Sequence, residues 1–117
     1  MISGIIGVGI DICGWDRIPE FDRDHPFFRI FSGDEIDYCI SRPNPAPYFA
    51  SRFAAREALL KAMGEYSPWM GDVEIGCTGR GSPFIEGPVP DDYRIFLSLS
   101  HDVGTSVALV VVTASER

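Results

Sequence analysis

Four charged residues on one predicted helix have the types and spacing to bind a phosphate. Glu57 and Lys61 are four residues apart, as are Arg52 and Arg56, and residues at that spacing share a helix face. Two neighbouring arginines repel each other unless solvent or an anion neutralises them. One carboxylate among three cations suits a Mg²⁺-bound phosphate, because Mg²⁺ takes one or two protein carboxylates while arginine and lysine neutralise the remaining charge. The alternative is a solvated face on which Glu57 simply pairs with Lys61.

Asp11 and His101 are the other candidates for chemistry. Asp11 interrupts an apolar run, where a carboxylate is rare unless it is paired or bound to a metal; it could also cap the following turn. His101 ends an alternating strand, and a lone histidine there is more often structural than catalytic. Gly7 and Gly9 beside Asp11 do not complete a dinucleotide-binding motif, because position 12 is isoleucine and no long helix follows directly.

The element that must position most of these residues is a long central helix. Asn44 is the predicted N-cap, Pro45 the first helical residue and Gly64 the C-terminal cap, so the helix runs through Met63. The side chains predicted to face the core are Phe49, Phe53, Leu60 and Met63.

Shorter elements are predicted on both sides of this helix. Residues 4–12 are β-branched and apolar, which predicts a buried strand. Ser32 to Glu35 form a capping box that begins a short helix through Ile40. Further strands are predicted over residues 72–78, 83–85, 94–101 and 105–113. The turn at residues 102–104 joins the last two strands into an antiparallel hairpin.

Composition excludes several classes of protein. The 117 residues fit one domain, and 45% hydrophobic residues with a mean hydropathy of +0.06 indicate a folded globule. A net charge of −7 argues against non-specific nucleic-acid binding and against an anionic membrane surface, and no apolar run is long enough to span a bilayer. Within that acidic total, residues 42–61 hold four cations and one acid, a local net charge of +3.

Cysteine usage predicts the compartment. The three cysteines are far apart, with no CxxC, and an odd number cannot form a closed set of disulfides. No signal peptide is predicted at the N-terminus, which lacks a basic segment. We therefore expect reduced thiols in a cytoplasmic protein.

Several of these motifs occur together, and in this order, in one known family. They are Gly9-Ile10-Asp11-Ile12, Arg17-Ile18, Arg52-Phe53-Ala54-Ala55-Arg56-Glu57-Ala58 with Lys61-Ala62 and Gly64, and Leu97-Ser98-Leu99-Ser100-His101. Over nearly its whole length the sequence resembles holo-[acyl-carrier-protein] synthase, the small, single-domain type of 4′-phosphopantetheinyl transferase. The resemblance implies an α+β fold across residues 1–117, with an antiparallel sheet packed on one long central helix.

The same resemblance implies an activity and an assembly. The family transfers the phosphopantetheine arm of coenzyme A to a serine of apo acyl carrier protein, as in fatty acid biosynthesis, and releases adenosine 3′,5′-bisphosphate. It usually forms a homotrimer with active sites at subunit interfaces. By position, Asp11 and Glu57 correspond to the Mg²⁺ ligands and Lys61 to the lysine near the reacting phosphate. Glu57 is also the candidate for taking the serine proton, directly or through a water molecule. Coenzyme A contacts are implied at Arg52, Gly64, Pro83 and His101, and carrier-docking contacts at Arg17 and Arg23.

Three departures from the family pattern keep other hypotheses open. Gly81-Ser82-Pro83 stands where the family usually has Gly-Lys-Pro, so a cation is lost. Little room remains between Pro83 and Leu97 for the helix commonly found there, and the stretch after Asp11 is acidic for a surface that docks an acidic carrier. A non-catalytic member that binds a carrier protein or coenzyme A would fit these departures. A third, weaker alternative is hydrolysis of a coenzyme-A-like pyrophosphate.

Overall fold

The structure is a computed structural model that describes residues 3–115. The strands are β1 (Ser3–Gly14), β2 (Glu74–Cys77), β3 (Pro83–Glu86), β4 (Tyr93–Asp102) and β5 (Thr105–Ser115). The α-helices are α1 (Gly33–Ile40) and α2 (Ala46–Met63). Short 3₁₀ helices lie at Trp15–Arg17, Pro26–Ile30, Gly64–Tyr66 and Met70–Asp72. As expected, the chain between Pro83 and Leu97 consists of strand and turn.

The central layer is a three-stranded antiparallel sheet in the order β1-β5-β4. Strands β2 and β3 form a separate antiparallel pair. The predicted β4–β5 hairpin is confirmed, and its register puts His101 opposite Ser106. Helix α2 packs on one face of the sheet, where its alanines meet the buried valines of β5. The predicted α+β arrangement, an antiparallel sheet on one long helix, is therefore confirmed.

Strand β1 is a strand as predicted, but the prediction that it is buried is wrong. It lies at the edge of the sheet, and its side chains alternate between the two faces. Cys13 is buried on the inner face, whereas Ile10 is 58% exposed on the outer one. We call this surface the outer apolar face; it comprises Val8, Ile10 and Ile12 of β1, Phe96 of β4 and Leu109 of β5.

Two glycines allow β1 to lie directly against α2. A Cβ at Gly9 would lie 1.8 Å from the carbonyl oxygen of Ala58, and one at Gly7 would lie 1.9 Å from that of Ala62. Close approach of two backbones, not dinucleotide binding, therefore requires glycine here. Because Asp11 follows Gly9 by two residues in the strand, this contact brings its carboxylate to the helix.

Helix α2 begins one residue later than predicted, and Asn44 is not its N-cap. Pro45 occupies the N-cap position with helical angles (φ −68°, ψ −28°), and its carbonyl accepts from the backbone amides of Tyr48 and Phe49. Proline has no side-chain acceptor with which to cap this end, but its fixed φ is near the helical value. The predicted C-cap is confirmed: Gly64 has φ of 61°, and its amide donates to the carbonyl of Leu60.

The core face of α2 consists mainly of small residues. Phe49 and Met63 are buried as predicted, but Phe53 and Leu60 are only half-buried. Leu59 and the alanines of the helix fill the contact instead. The prediction selected large apolar residues, whereas the close β1–α2 contact favours small ones.

The predicted capping box at α1 is also confirmed. The Ser32 hydroxyl accepts from the Glu35 amide, and the Glu35 carboxylate accepts from the Ser32 amide. None of the helices between residues 3 and 115 is long and apolar enough to cross a membrane.

Candidate active site

Asp11 and Lys61 meet where β1 crosses α2. The Lys61 Nζ lies 3.1 Å from the Asp11 Oδ1 and also donates to the Ile10 carbonyl at 2.9 Å. The side chain of Lys61 is 54% exposed, but that of Asp11 is only 17% exposed. Lys61 therefore pairs across the fold with a residue fifty positions away, and not with Glu57 on its own helix.

Glu57 lies one helical turn before Lys61, and its side chain is half-buried. Within residues 3–115 its carboxylate makes no hydrogen bond or ion pair. The close contact between Gly9 and Ala58, the residue after Glu57, brings this part of the helix against the strand that carries Asp11. Burial is the main reason that the pKa of Cys13 is raised, Arg17 lowers it, and the charges of Asp11 and Glu57 both add to the rise. We call Asp11, Glu57 and Lys61 the acidic site.

The donor set of the acidic site fits magnesium. No cluster of three or more His, Cys, Asp or Glu side chains suited to a metal occurs among the described residues. A closed zinc site, which needs four such ligands, is therefore not built by residues 3–115. Two carboxylates, one of them without a protein partner, suit Mg²⁺, which fills its other positions with water and substrate phosphate oxygens.

Arg56 is neutralised by the protein itself, so the interpretation that Arg52 and Arg56 share an external phosphate is wrong for Arg56. The Arg56 side chain is fully buried and forms a two-pronged ion pair with Glu35 of α1, with Nη1 2.9 Å from Oε2 and Nη2 bonded to Oε1. The Arg52 Nε lies 3.8 Å from the same carboxylate. Glu35 therefore neutralises Arg56 and lies between the two arginines.

Three of the four predicted coenzyme A contacts line one groove of about 560 Å³. Arg52, Pro83 and His101 all contribute to its wall, but Gly64 does not. Trp15 lies beside His101, with 6.2 Å between ring centroids, and its indole nitrogen donates to the Ser106 hydroxyl at 3.0 Å. We call this groove the basic groove, because its wall contains the basic side chains of Arg52 and His101 and no carboxylate.

The acidic site and the basic groove lie on different sides of α2. At about 100° per residue, Glu57 and Lys61 are rotated by roughly 140° and 180° from Arg52. Gly64 is twelve residues beyond Arg52, or about 18 Å along the helix axis. A single copy of the chain therefore keeps the two sets of predicted site residues apart.

Both predicted carrier-docking residues are exposed. Arg17 lies in the 3₁₀ helix after β1, and the Arg23 guanidinium lies 5.9 Å from the Phe21 ring centroid. Both are separate from the basic groove, whose lining residues do not include them.

Sequence reasoning missed two residues that contact Arg52. Glu35 was assigned only to the capping box, because a pairing with Arg56, 21 residues away, leaves no local signal. Tyr38, three residues after Glu35, lies under the Arg52 guanidinium at 4.6 Å from its ring centroid. The spacing of three residues between Glu35 and Tyr38 on α1 does indicate that the two side chains share one face of that helix.

Comparison with known proteins gives one consistent result. A sequence profile of the 4′-phosphopantetheinyl transferase superfamily matches residues 7–111. A relative named holo-[acyl-carrier-protein] synthase from Thermodesulfovibrio yellowstonii is 35% identical, over 93% of this chain and 99% of its own length. One of the same name from Geobacter sp. is 37% identical, over 92% and 98%. A holo-(acyl-carrier-protein) synthase crystal structure from Bacillus anthracis, in complex with CoA, superposes with a TM-score of 0.82 and 31% identity, covering 95% and 98% of the two chains.

Proposed function

Because the chain belongs to the 4′-phosphopantetheinyl transferase superfamily, we propose that it transfers the 4′-phosphopantetheine arm of coenzyme A to a serine of an apo acyl carrier protein. The whole chain, residues 1–117, is then one transferase domain. The observation that carries the proposal is the acidic site, where Asp11 and Lys61 pair across β1 and α2, and where the Glu57 carboxylate has no partner among residues 3–115.

The transfer exchanges the phosphoanhydride bond of the coenzyme A pyrophosphate for a phosphate ester to serine. The serine oxygen forms a bond to the phosphorus of the phosphopantetheine arm, the bond from that phosphorus to the nucleotide breaks, and adenosine 3′,5′-bisphosphate leaves. The Lys61 ammonium neutralises charge on the reacting phosphate. The serine proton goes to a base, for which Glu57 is the candidate because its carboxylate is free of competing partners within residues 3–115.

Asp11 and Glu57 are the residues that would hold Mg²⁺. The ion would supply charge neutralisation and polarisation of the phosphorus under attack. Lys61 already occupies one oxygen of Asp11, so the chain provides a counter-charge for this carboxylate before any ligand arrives. Positioning and charge neutralisation should supply most of the rate, as in phosphoryl transfer generally.

The active site is built between two copies of the chain. Coenzyme A lies in the basic groove of one subunit, with its anionic groups near Arg52 and His101, and its reacting phosphate meets the acidic site of a neighbour. The separation of these two sets around α2 supports this arrangement. The outer apolar face supports it too, since a row of β-branched side chains more than half exposed needs a partner, and the assembly we propose is a homotrimer.

Mixing two inactive variants tests the shared site. Arg52→Ala damages the basic groove and Lys61→Ala damages the acidic site, so each variant alone should lose transfer. A random equimolar mixture of the two should recover about a quarter of wild-type activity, because each trimer that contains both variants has one interface of three with two undamaged halves and about a quarter of the trimers contain only one variant. No recovery in verified mixed trimers would place both halves in one subunit and contradict the interfacial site.

Mass spectrometry of a carrier protein tests the activity itself. An apo acyl carrier protein of fatty acid biosynthesis, incubated with the enzyme, coenzyme A and Mg²⁺, should gain one phosphopantetheine group. Glu57→Gln should abolish this gain, whereas Glu86→Gln, an exposed glutamate on β3, should not. The non-catalytic alternative would be favoured if the protein bound the carrier but produced no mass gain and showed no Mg²⁺-dependent binding of coenzyme A.

The cysteines support a cytoplasmic location. Cys77 is exposed and unpaired, and Cys13 and Cys39 are buried as free thiols. An exposed free thiol suits a reducing compartment.

A further inference from the structure

Arg52 is buried with too few acceptors of its own. The residue is 6% exposed, and its Nε has no hydrogen-bond partner among the residues that the structure describes. Of the five N–H donors of its guanidinium, one makes a long hydrogen bond, from Nη1 to the Tyr48 carbonyl at 3.4 Å. Because a buried donor without an acceptor is costly, this arginine is suited to receive an anion.

Arg56, one turn later on α2, has an acceptor for every N–H group of its guanidinium. All five of its N–H groups are used: two bind Glu35, and the others reach the carbonyls of Met70, Val73 and Arg52. Glu35 thus neutralises Arg56 completely and faces Arg52 only across the 3.8 Å ion pair. One carboxylate cannot neutralise two guanidinium groups, so one positive charge remains. It is assigned to Arg52, because Arg52 has unused N–H donors and Arg56 has none.

Arg52 lies in the wall between the basic groove and a smaller pocket of about 340 Å³. The smaller pocket is lined by three carboxylates, those of Asp34, Glu35 and Glu74, and so repels anions. The lining of the basic groove contains no carboxylate. The basic groove is therefore electrostatically the more favourable side from which an anion can approach Arg52.

We propose that Glu35 is a positioning residue that holds Arg52 in this wall so that its guanidinium receives a phosphate group of coenzyme A. The inference rests on the proposed function, and it adds a residue that does not touch the substrate. The separation between Glu35 and the Arg52 Nε exceeds a hydrogen bond, so the carboxylate attracts the guanidinium without consuming its donors. Tyr38 supports the guanidinium from its ring face.

A double substitution tests this role without leaving the fully buried Arg56 unpaired. Glu35→Gln removes the charge but keeps the capping box, which accepts glutamine at that position. Arg56→Met removes the partner that would otherwise be stranded. The pair Glu35→Gln/Arg56→Met should raise KM for coenzyme A about tenfold, as expected for one weakened charge-assisted hydrogen bond, and leave kcat and the carrier KM within about twofold.

Coupling to Arg52 distinguishes positioning from a structural role. Arg52→Gln in the wild type should also raise KM for coenzyme A about tenfold, but in the double variant it should add no more than about twofold. Ser32→Ala is the control: it breaks the same capping box and should lower Tm without changing KM for coenzyme A. An unchanged KM in the double variant, or fully additive losses with Arg52→Gln, would overturn the proposal.

Further measurements cover two contingencies: a double variant that does not fold, and a wild type that does not transfer phosphopantetheine. If the double variant does not fold, Glu35→Asp, which retracts the carboxylate by one methylene, should raise KM for coenzyme A, and a wild-type KM would overturn the proposal. If the wild type makes no holo-carrier, the proposed function fails, and calorimetric binding of coenzyme A to the same variants decides the role of Glu35.

Discussion

Replacing Gly9 with alanine tests how closely β1 must lie against α2. The new Cβ would be 1.8 Å from the Ala58 carbonyl oxygen and 2.9 Å from the Ala62 nitrogen, both backbone atoms that no rotamer change can move. Ordinary van der Waals contact begins near 3.4 Å. The strand and the helix must therefore separate locally by about 1.6 Å in a region that is otherwise close-packed.

The expected loss of stability is at the upper end for overpacking, about 3 kcal/mol. An unfolding entropy of about 2.1 cal/mol/K per residue converts this loss to a fall in Tm of about 12 °C for a chain of this length. Transfer should fall further than stability, because the displaced strand carries Asp11 away from Lys61, now at 3.1 Å. A misplacement of about 1 Å in a positioned site costs on the order of 100-fold in rate.

Thermal and urea unfolding with the carrier mass-gain assay provide the measurement for Gly9→Ala. Gly4→Ala is the matched control, since Gly4 lies in the same strand and a Cβ there meets nothing within 4 Å. The control should melt within about 2 °C of wild type, because Gly-to-Ala changes at compatible positions are small. A Gly9→Ala protein that melts with the wild type and transfers at its rate would refute the close-approach argument.

Three other predictions concern assembly and the thiols. If the proposed trimer forms, Ile10→Glu should be a monomer by sedimentation velocity and should lose transfer activity. Val103→Glu, at the 94%-exposed hairpin tip, should sediment as the wild type does. A fully active Ile10→Glu monomer would contradict the interfacial site. Burial raises the pKa of the Cys39 thiol from 9.0 to about 11. The folded state therefore favours the protonated thiol, and this contribution to stability, at most about 3 kcal/mol, is complete below pH 9 and is lost as the pH rises towards 11. Cys39→Ala should flatten the decline in unfolding free energy over this range, and a parallel decline would refute the assignment. Iodoacetamide should modify Cys77 in the native protein, with Cys13 and Cys39 reacting only after unfolding, as read by peptide mass spectrometry.

Features set by neighbouring residues could be predicted from the sequence. The Ser32–Glu35 capping box, the Gly64 cap and the β4–β5 hairpin each depend on a few adjacent residues, and all three are confirmed. The predicted start of α2 is one residue too early. A proline at the N-cap with helical angles cannot be distinguished in the sequence from a first helical residue.

Features set by distant pairing could not be predicted in the same way. The Glu35–Arg56 pair and the Asp11–Lys61 pair join residues 21 and 50 positions apart, and no local spacing indicates either. The exposure of Ile10 depends on α2 covering only one face of the sheet, since Leu109 of the central strand β5 is exposed on the same outer face. The resemblance to a known family, not periodicity, placed Asp11 and Glu57 in one site.

The strand order has a consequence for how this chain folds during synthesis. Strand β5 lies between β1 and β4, yet it is the last strand to leave the ribosome. Until residues 105–115 emerge, the first strand has no neighbour in its sheet, and its isoleucines remain uncovered on an unpaired edge. Pairing of the first and last strands is also among the most non-local contacts that the chain can make, so this step should be slow and its intermediate prone to aggregate. Removal of the last eleven strand residues would therefore abolish the sheet completely, not merely shorten it.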